Sequence, residues 1–265
     1  IMGSSTFRVL GVRQNGIGAD GAQVLAEAIG QSRTMVSLDL AYNMIGYDGA
    51  FALAQGIVQS QTFQHLDVES TNLDAEAVGA LAMAVRESKT MQSLNLAYNC
   101  VEPKGARALA RALEASVSLR QLDLPYGSVL DEGACILAMG ISHSASLRSI
   151  DLQGCNIGVV GAQALAEGIA VSGKLWSMNL ANNRFGDDGA VALAAGIAKS
   201  SSFQHLKAKG SNIGVEGSQA LRYVLQTSCT FCTVQVDPKS FNSVQLNVIE
   251  RRPSKSVAGG VPNPP

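Results

Sequence analysis

Three groups of side chains in this chain have types and spacing that could do chemistry. The first is a column of acids and amides, Asp39, Asp67, Asn95, Asp123 and Asp151, each 28 residues from the next, with Glu69 just beyond Asp67. Carboxylates brought side by side repel, and a cation relieves the repulsion. Such a column is built to receive basic side chains, or else each member bonds to its own neighbours. The second group is Tyr42, Tyr98 and Tyr126, each three residues past a member of the column. Tyrosine is enriched at binding hot spots; alternatively each ring covers its own turn. The third group is the one that could hold a metal or do redox chemistry: Cys229-Thr-Phe-Cys232, and His65 and His205, each inside Phe-Gln-His-Leu. A C-x-x-C can be redox-active or half a zinc site. No second pair accompanies it, and the two histidines sit at matching places far apart in the chain. No catalytic triad, phosphate loop or acid pair is seen. The expectation is a protein without catalytic residues, metal or cofactor.

The elements that position these groups repeat. Leu10, Leu38, Leu66, Leu94, Leu122, Ile150, Met178, Leu206 and Val234 follow one another at 28 residues without insertion or deletion. A period of this size marks a solenoid or propeller. Three residues before each anchor stands a bulky apolar residue (Phe7, Met35, Phe63 and so on), and two after it another (Val12, Leu40, Val68). That alternation predicts a short half-buried strand. Five residues past the anchor comes Asn15, Asn43, Asn99 or Asn183, replaced elsewhere by Thr71, Gly127, Cys155 or Ser211. A helix follows, opening at pairs such as Gly49-Ala50, with an apolar stripe at Ala50, Leu53, Ala54 and Ile57. Acids such as Asp48 and Asp188 near the helix start suit the macrodipole. A serine closes every unit. Phe231 falls on a core position of this frame, and Gly18 and Gly21 on turn and helix-start positions, so neither the C-x-x-C nor the glycines need a chemical role.

This pattern resembles the leucine-rich repeat, and its long, helix-bearing form is similar to the ribonuclease-inhibitor class. The resemblance covers about residues 5 to 236. It implies an α/β solenoid, a horseshoe of about eight βα repeats, with a parallel sheet on the concave face and helices on the convex one. Proteins of this type include ribonuclease inhibitor, the sensing ends of NOD-like receptors, Ran GTPase-activating protein and axonemal scaffold proteins. Half the repeats lack the turn asparagine, so its ladder of hydrogen bonds should be interrupted there.

Placed on that frame, Asp39, Asp67, Asn95, Asp123 and Asp151 form an acidic stripe across the middle of the concave wall, beside Glu69. Lys207 and Lys209 make its C-terminal end basic, and Tyr42, Tyr98 and Tyr126 line one rim, the last two on adjacent repeats. Neighbouring strands stand about 4.8 Å apart. The expected partner is a protein with basic groups. The near-neutral net charge of −1 argues against nucleic acid. No run of about 18 apolar residues suggests a membrane span, and no signal peptide is seen. Five cysteines at unrelated repeat positions give no disulfide framework, so the reading is intracellular and cytoplasmic, with a cytoskeletal or ciliary site as one version.

The chain divides into a solenoid at 1–236, a capping segment at 237–250 in which Val244, Leu246 and Val248 alternate, and a Pro/Ser/Gly tail at 251–265 that cannot build a core. The first strand has no evident polar cap, which points to a preceding repeat or a covering partner. Phe51, Met83, Cys135, Met139 and Val191 make the helix exteriors greasy, either because they pack between adjacent helices or because the chain lives in a larger assembly. The leading expectation is a non-catalytic interaction module or scaffold. The competitors are a structural subunit of an assembly such as an axoneme, a Ran-type GTPase activator, against which the basic, proline-rich tail counts, and a NOD-like-receptor sensing region.

Overall fold

The computed structural model describes residues 6–237 and 249–250. Strand and helix alternate along it. The strands are β1 (Val9–Gly11), β2 (Ser37–Asp39), β3 (His65–Asp67), β4 (Ser93–Asn95), β5 (Gln121–Asp123), β6 (Ser149–Asp151), β7 (Ser177–Asn179), β8 (His205–Lys207) and β9 (Thr233–Gln235). Between them lie α1 (Ala19–Gln31), α2 (Gly46–Gln59), α3 (Ala75–Glu87), α4 (Glu102–Ala115), α5 (Leu130–His143), α6 (Val159–Val171), α7 (Gly186–Lys199) and α8 (Val215–Thr227). All of β1 to β9 pair in parallel and in sequence order, anchor opposite anchor from Leu10↔Leu38 to Leu206↔Val234. A final strand, β10 (Ile249–Glu250), joins β9 antiparallel. The expected alternation at Val244, Leu246 and Val248 and the tail from residue 251 lie outside the described residues.

The shape follows from two spacings. Strands stack about 4.8 Å apart, while helices need about 8–10 Å. One wall is therefore longer than the other, and the sheet takes the inside of the curve. The helices close that gap where they can. Gly56 and Gly196 sit so near Ala26 and Ala166 that a Cβ on either would overlap a backbone carbonyl. From the second repeat on, the anchors and their flanking apolar residues are buried, with Phe63, Phe203 and Phe231 among the largest fully buried side chains, while Phe7, Leu10 and Val12 of the first are half-buried. The helices begin earlier than the Gly-Ala pairs suggested: α2 opens at Gly46 and α7 at Gly186.

Polar side chains inside the solenoid, the Ser218 hydroxyl excepted, are bonded within their own turn or from one repeat to the next. Asn99 shows the full pattern. Its Oδ1 accepts from Thr71 N (3.2 Å) and Leu73 N (3.0 Å), while Nδ2 donates to Val68 O (2.8 Å) and Leu96 O (3.2 Å). Where asparagine is missing, the hydroxyls of Thr71 and Ser211 and the thiol of Cys155 still donate to the preceding strand or their own turn. The expected interruption is therefore partial there, and complete only at Gly127, which has no side chain to offer. The closing serines from Ser32 to Ser200 are buried and Ser228 is half-buried, and each Oγ accepts from the backbone two or three residues on, as Ser172 does from Lys174 N and Leu175 N. These bonds turn the chain from helix back to strand.

Candidate functional site

Along the concave wall the acid-and-amide column does a structural job first. The side-chain oxygen accepts from the backbone N–H two residues on, a turn-forming bond that Asp and Asn make readily. Asp39 takes Ala41 N (3.0 Å), Asp67 takes Glu69 N (2.9 Å), Asn95 takes Ala97 N (3.0 Å), Asp151 takes Gln153 N (2.9 Å) and Asn179 takes Ala181 N (3.0 Å). Asp123 is the exception, because residue 125 is proline and has no N–H.

The N-terminal part of the stripe is compensated within the chain. Arg13 reaches across three strands, to Asp39 Oδ2 (3.3 Å), Asp67 Oδ2 (3.6 Å) and Glu69 Oε2 (2.9 Å). Its guanidinium lies 5.0 Å from the centre of the Tyr42 ring. The Tyr42 hydroxyl donates to the other Glu69 oxygen at 2.6 Å. The Glu69 hydrogen bonds hold Arg13 protonated more firmly still and push the Tyr42 phenol up. Asp67 stands above the usual carboxylate range, chiefly through burial and with Asp39 adding to it, against the pull of Glu69 N, Asn95 and Arg13. Asp39, Asp67, Glu69 and Tyr42 are thus one cluster around Arg13. The 28-residue register could have shown this, since Arg13 occupies the same repeat place as Ala41 and Glu69 on the strand beside Asp39.

The middle of the stripe is different. Asn95 pairs with Asp123 in register but turns its amide to Asp67 Oδ1 (3.1 Å). Asn179 gives its amide to Asp151 Oδ2 (2.8 Å) and Gln153 Oε1 (3.2 Å). Among the described residues, the Asp123 carboxyl receives only the Gln121 amide, at 2.6 Å. Burial, then the nearby Asp151 and Asp67, push its carboxyl up to about 6 against that one bond. No ion pair among the described residues reaches Asp123 or Asp151. Lys207 and Lys209 are exposed at the C-terminal end and likewise form no ion pair among the described residues.

The tyrosine rim shares the strain of this region. Tyr42, Tyr98 and Tyr126 all have left-handed backbone (φ 57, 56 and 56), at the repeat place where later repeats carry Gly154, Asn182 and Gly210. A bulky residue there costs on the order of 1 kcal/mol or more. Tyr98 and Tyr126 stack, with centroids 4.8 Å apart and planes 17° off parallel. Tyr126 leans over Gly154, where a Cβ would collide with its ring, and its hydroxyl accepts from Gln153 Nε2 (3.0 Å) and lies 3.4 Å from Asn182 Nδ2. Ser128 and Leu130 of the same repeat are also left-handed. Sister repeats take left-handed backbone at one of these two places, as at Asn72 or Glu102, whereas this repeat takes it at both and also differs from them at Pro125 and Gly127.

Other sequence candidates fall elsewhere. His65 and His205 bond to Ser93 and Thr233 on the next strand, at 2.8 and 2.7 Å. Cys229 and Cys232 are free thiols. Among the described residues no His, Cys, Asp or Glu group is arranged to hold a metal ion. No helix among them is long and apolar enough to cross a membrane. On the convex side Phe51, Met139 and Val191 are exposed, while Met83 and Cys135 are half-buried.

A leucine-rich-repeat family model matches residues 3–26, 31–54, 87–110, 143–166 and 175–194. A search of curated proteins finds no match. Among solved structures, a chain from the crystal structure of the Rad7 and Elc1 complex in yeast is similar over 89% of this chain and 79% of that one, at 10% identity and a TM-score of 0.35.

Proposed function

We propose, for a chain that belongs to the leucine-rich repeat proteins, a non-catalytic role as an interaction module or scaffold that holds a partner protein on its concave sheet, a basic side chain of the partner resting on Asp123. One observation carries this reading. Asp123 is the carboxylate of the column that has, among the described residues, neither a turn bond nor a cation of its own, and it stands between Asn95 and Asp151 with Asp67 one strand beyond Asn95. An arginine or lysine from outside would supply the missing charge. The Tyr98–Tyr126 stack beside it offers a flat face suited to a guanidinium. Strain gathered in one repeat, where local rules are broken together, is a feature of binding sites. The contact set we assign to the partner is Asp123, Asp151, Asn95, Tyr98 and Tyr126. Asp39, Asp67, Glu69 and Tyr42 join it through Arg13, and Lys207 and Lys209 bound it.

The test is a fluorescence-anisotropy titration with a labelled pool of degenerate peptides sharing one fixed arginine. Wild type should bind, and binding should weaken as salt rises. The folded variant Asp123→Asn/Tyr98→Ala should lose about tenfold or more in affinity. Unchanged affinity in that variant overturns the reading.

A reducing, intracellular setting suits the chain, because the buried Cys155 acts as a thiol, donating to Leu124 O at 3.1 Å. A second reading, a structural subunit of a larger assembly, is favoured by the exposed Met139, Val160 and Val171 on α5 and α6. Sedimentation of the purified chain that leaves it monomeric, with those residues replaced by serine making no difference to partner capture, would remove it.

A further inference from the structure

A second row of side chains on the same wall holds two cations that have no ion-pair partner among the described residues. Two residues before each anchor the chain carries Arg120, Arg148 and Trp176 on consecutive repeats. Their backbones are bonded directly: Arg148 N donates to Arg120 O at 2.8 Å, and Trp176 N to Arg148 O at 2.7 Å. All three are exposed. The Trp176 ring meets His205 edge-on at 4.4 Å, which places this row against the concave face beside the strand-start residues. Among the described residues neither guanidinium makes an ion pair or side-chain hydrogen bond, and neither does the Trp176 ring N–H. Next to them, Ser149 and Ser177 are register neighbours and half-buried, with hydroxyls that bond to no other side chain. Elsewhere these places are closed or neutral, apart from Arg8 in the first repeat: His65 bonds Ser93, His205 bonds Thr233, and Val36, Gln64 and Gln92 separate Arg8 from the arginine pair.

Two guanidiniums on adjacent strands, about 4.8 Å apart at the backbone, repel each other unless an anion lies between them. A carboxylate satisfies one guanidinium fork. A phosphoryl dianion carries charge and oxygens for both, with the serine hydroxyls and the indole N–H as further donors. We propose that Arg120, Arg148, Ser149, Ser177 and Trp176 form a subsite for a phosphorylated serine or threonine on the partner segment. This rests on the docking reading above and names a second group on the same partner. Arg120 and Asp123 are three strand residues apart, about 10 Å. A segment in polyproline II conformation, with three residues per turn, would place a basic residue and a phosphoresidue three positions apart on one face and so match both subsites.

Trp176 is the sole tryptophan of the chain, so its emission reports on this row directly. The experiment uses the full chain and an array of degenerate peptides with arginine fixed three positions before phosphoserine, alongside the same peptides unphosphorylated and with glutamate instead. The best phosphopeptides should bind about tenfold or more tighter than their unphosphorylated forms and shift Trp176 emission. Arg120→Ala/Arg148→Ala, both at exposed positions, should keep the wild-type melting temperature and abolish the phosphate preference. Asp123→Asn should weaken every peptide while keeping that preference. If arginine peptides bind but phosphorylation adds nothing, the subsite fails and the docking reading stands. If the phosphate preference survives Arg120→Ala/Arg148→Ala, the subsite is misplaced and the proposal falls. If no peptide binds, both readings fall.

Discussion

Pro125 stands at the position from which Asp123 would draw a backbone N–H, and so leaves that carboxylate without the turn bond its column neighbours make. The consequence is electrostatic. A half-buried acid with one side-chain donor and two acidic neighbours is held at a pKa of about 6, against an ordinary 3.8. An acid raised in the folded state binds its proton more tightly there than in the unfolded chain. Its ionised form therefore costs stability above about pH 6, and the cost fades as pH falls from 6 toward 4. Asp123→Asn should stabilise the solenoid at pH 8 by on the order of 1–3 kcal/mol and by much less at pH 4.5. Thermal melts of both proteins at the two pH values check this. An equal gain at both, or a loss at pH 8, contradicts it.

Pro125→Ala supplies the missing N–H. Asp123 should then form the turn bond seen at Asp67 and Asp151, and its carboxyl should titrate lower than in wild type. The replacement also frees the unfolded chain, an opposing effect of about 0.4–1 kcal/mol. The NMR titration of the Asp123 side-chain carboxyl separates the two. A midpoint that does not move in Pro125→Ala means that burial alone sets it.

Arg13 sets one positive charge against the three carboxylates at the N-terminal end of the stripe, so Arg13→Gln should make that end a stronger cation-seeking patch. Basic peptides should bind the variant more tightly than wild type, with a steeper dependence on salt. Asp67 should titrate higher, having lost a favourable charge while its burial remains. The stability loss should shrink on acidification, as the buried Asp67 takes up a proton. Weaker basic-peptide binding in Arg13→Gln would mean that Arg13 itself touches the partner.

Much of this was legible in the sequence. The anchors from Leu10 to Val234 gave strand, helix and register together, because each repeat buries its face only against its neighbours. The acidic column and the tyrosines were visible by the same spacing. What stayed hidden depends on direction rather than position. The register puts Asn95 next to both Asp67 and Asp123, and only packing decides that its amide turns to Asp67. The left-handed backbone of Tyr98 carries no residue signal, since tyrosine is among the last side chains expected there. Arg120, Arg148 and Trp176 shared a repeat place that stood out only once their neighbours proved to be paired.

Gly127 tests how far the repeat pattern predicts stability. It replaces the turn asparagine, so restoring the pattern with Gly127→Asn looks favourable from sequence. The structure forbids it. A Cβ at Gly127 would lie 2.8 Å from Leu124 O and 3.0 Å from a Val101 methyl, and the Gly127 N–H already donates to Leu124 O at 3.1 Å. Gly127→Asn should therefore destabilise by about 1–3 kcal/mol, as overpacked sites do. A chemical melt showing a gain would mean that the turn relaxes to the asparagine form.

Asp131 and Asp187 cap helices that are not their own. Asp131, in the first turn of α5, accepts from Gly158 N (2.7 Å) and Gly161 N (2.9 Å) at the start of α6. Asp187 does the same for Gly214 N (2.7 Å) and Gly217 N (2.8 Å) at the start of α8. Both receiving helices begin at glycines that cannot cap themselves, whereas α3 is capped by its own Asp74. Each bond pair satisfies two of the helix's free N–H groups and links adjacent repeats. Asp131→Ala and Asp187→Ala should each cost about 1–2 kcal/mol. Stability in a solenoid is a sum over repeats and their interfaces, so the loss should be local. Hydrogen exchange should quicken at the start of α6 in the first variant and of α8 in the second, with the other helix unchanged. Equal effects on both helices would show that the caps report on global unfolding rather than on their own interface.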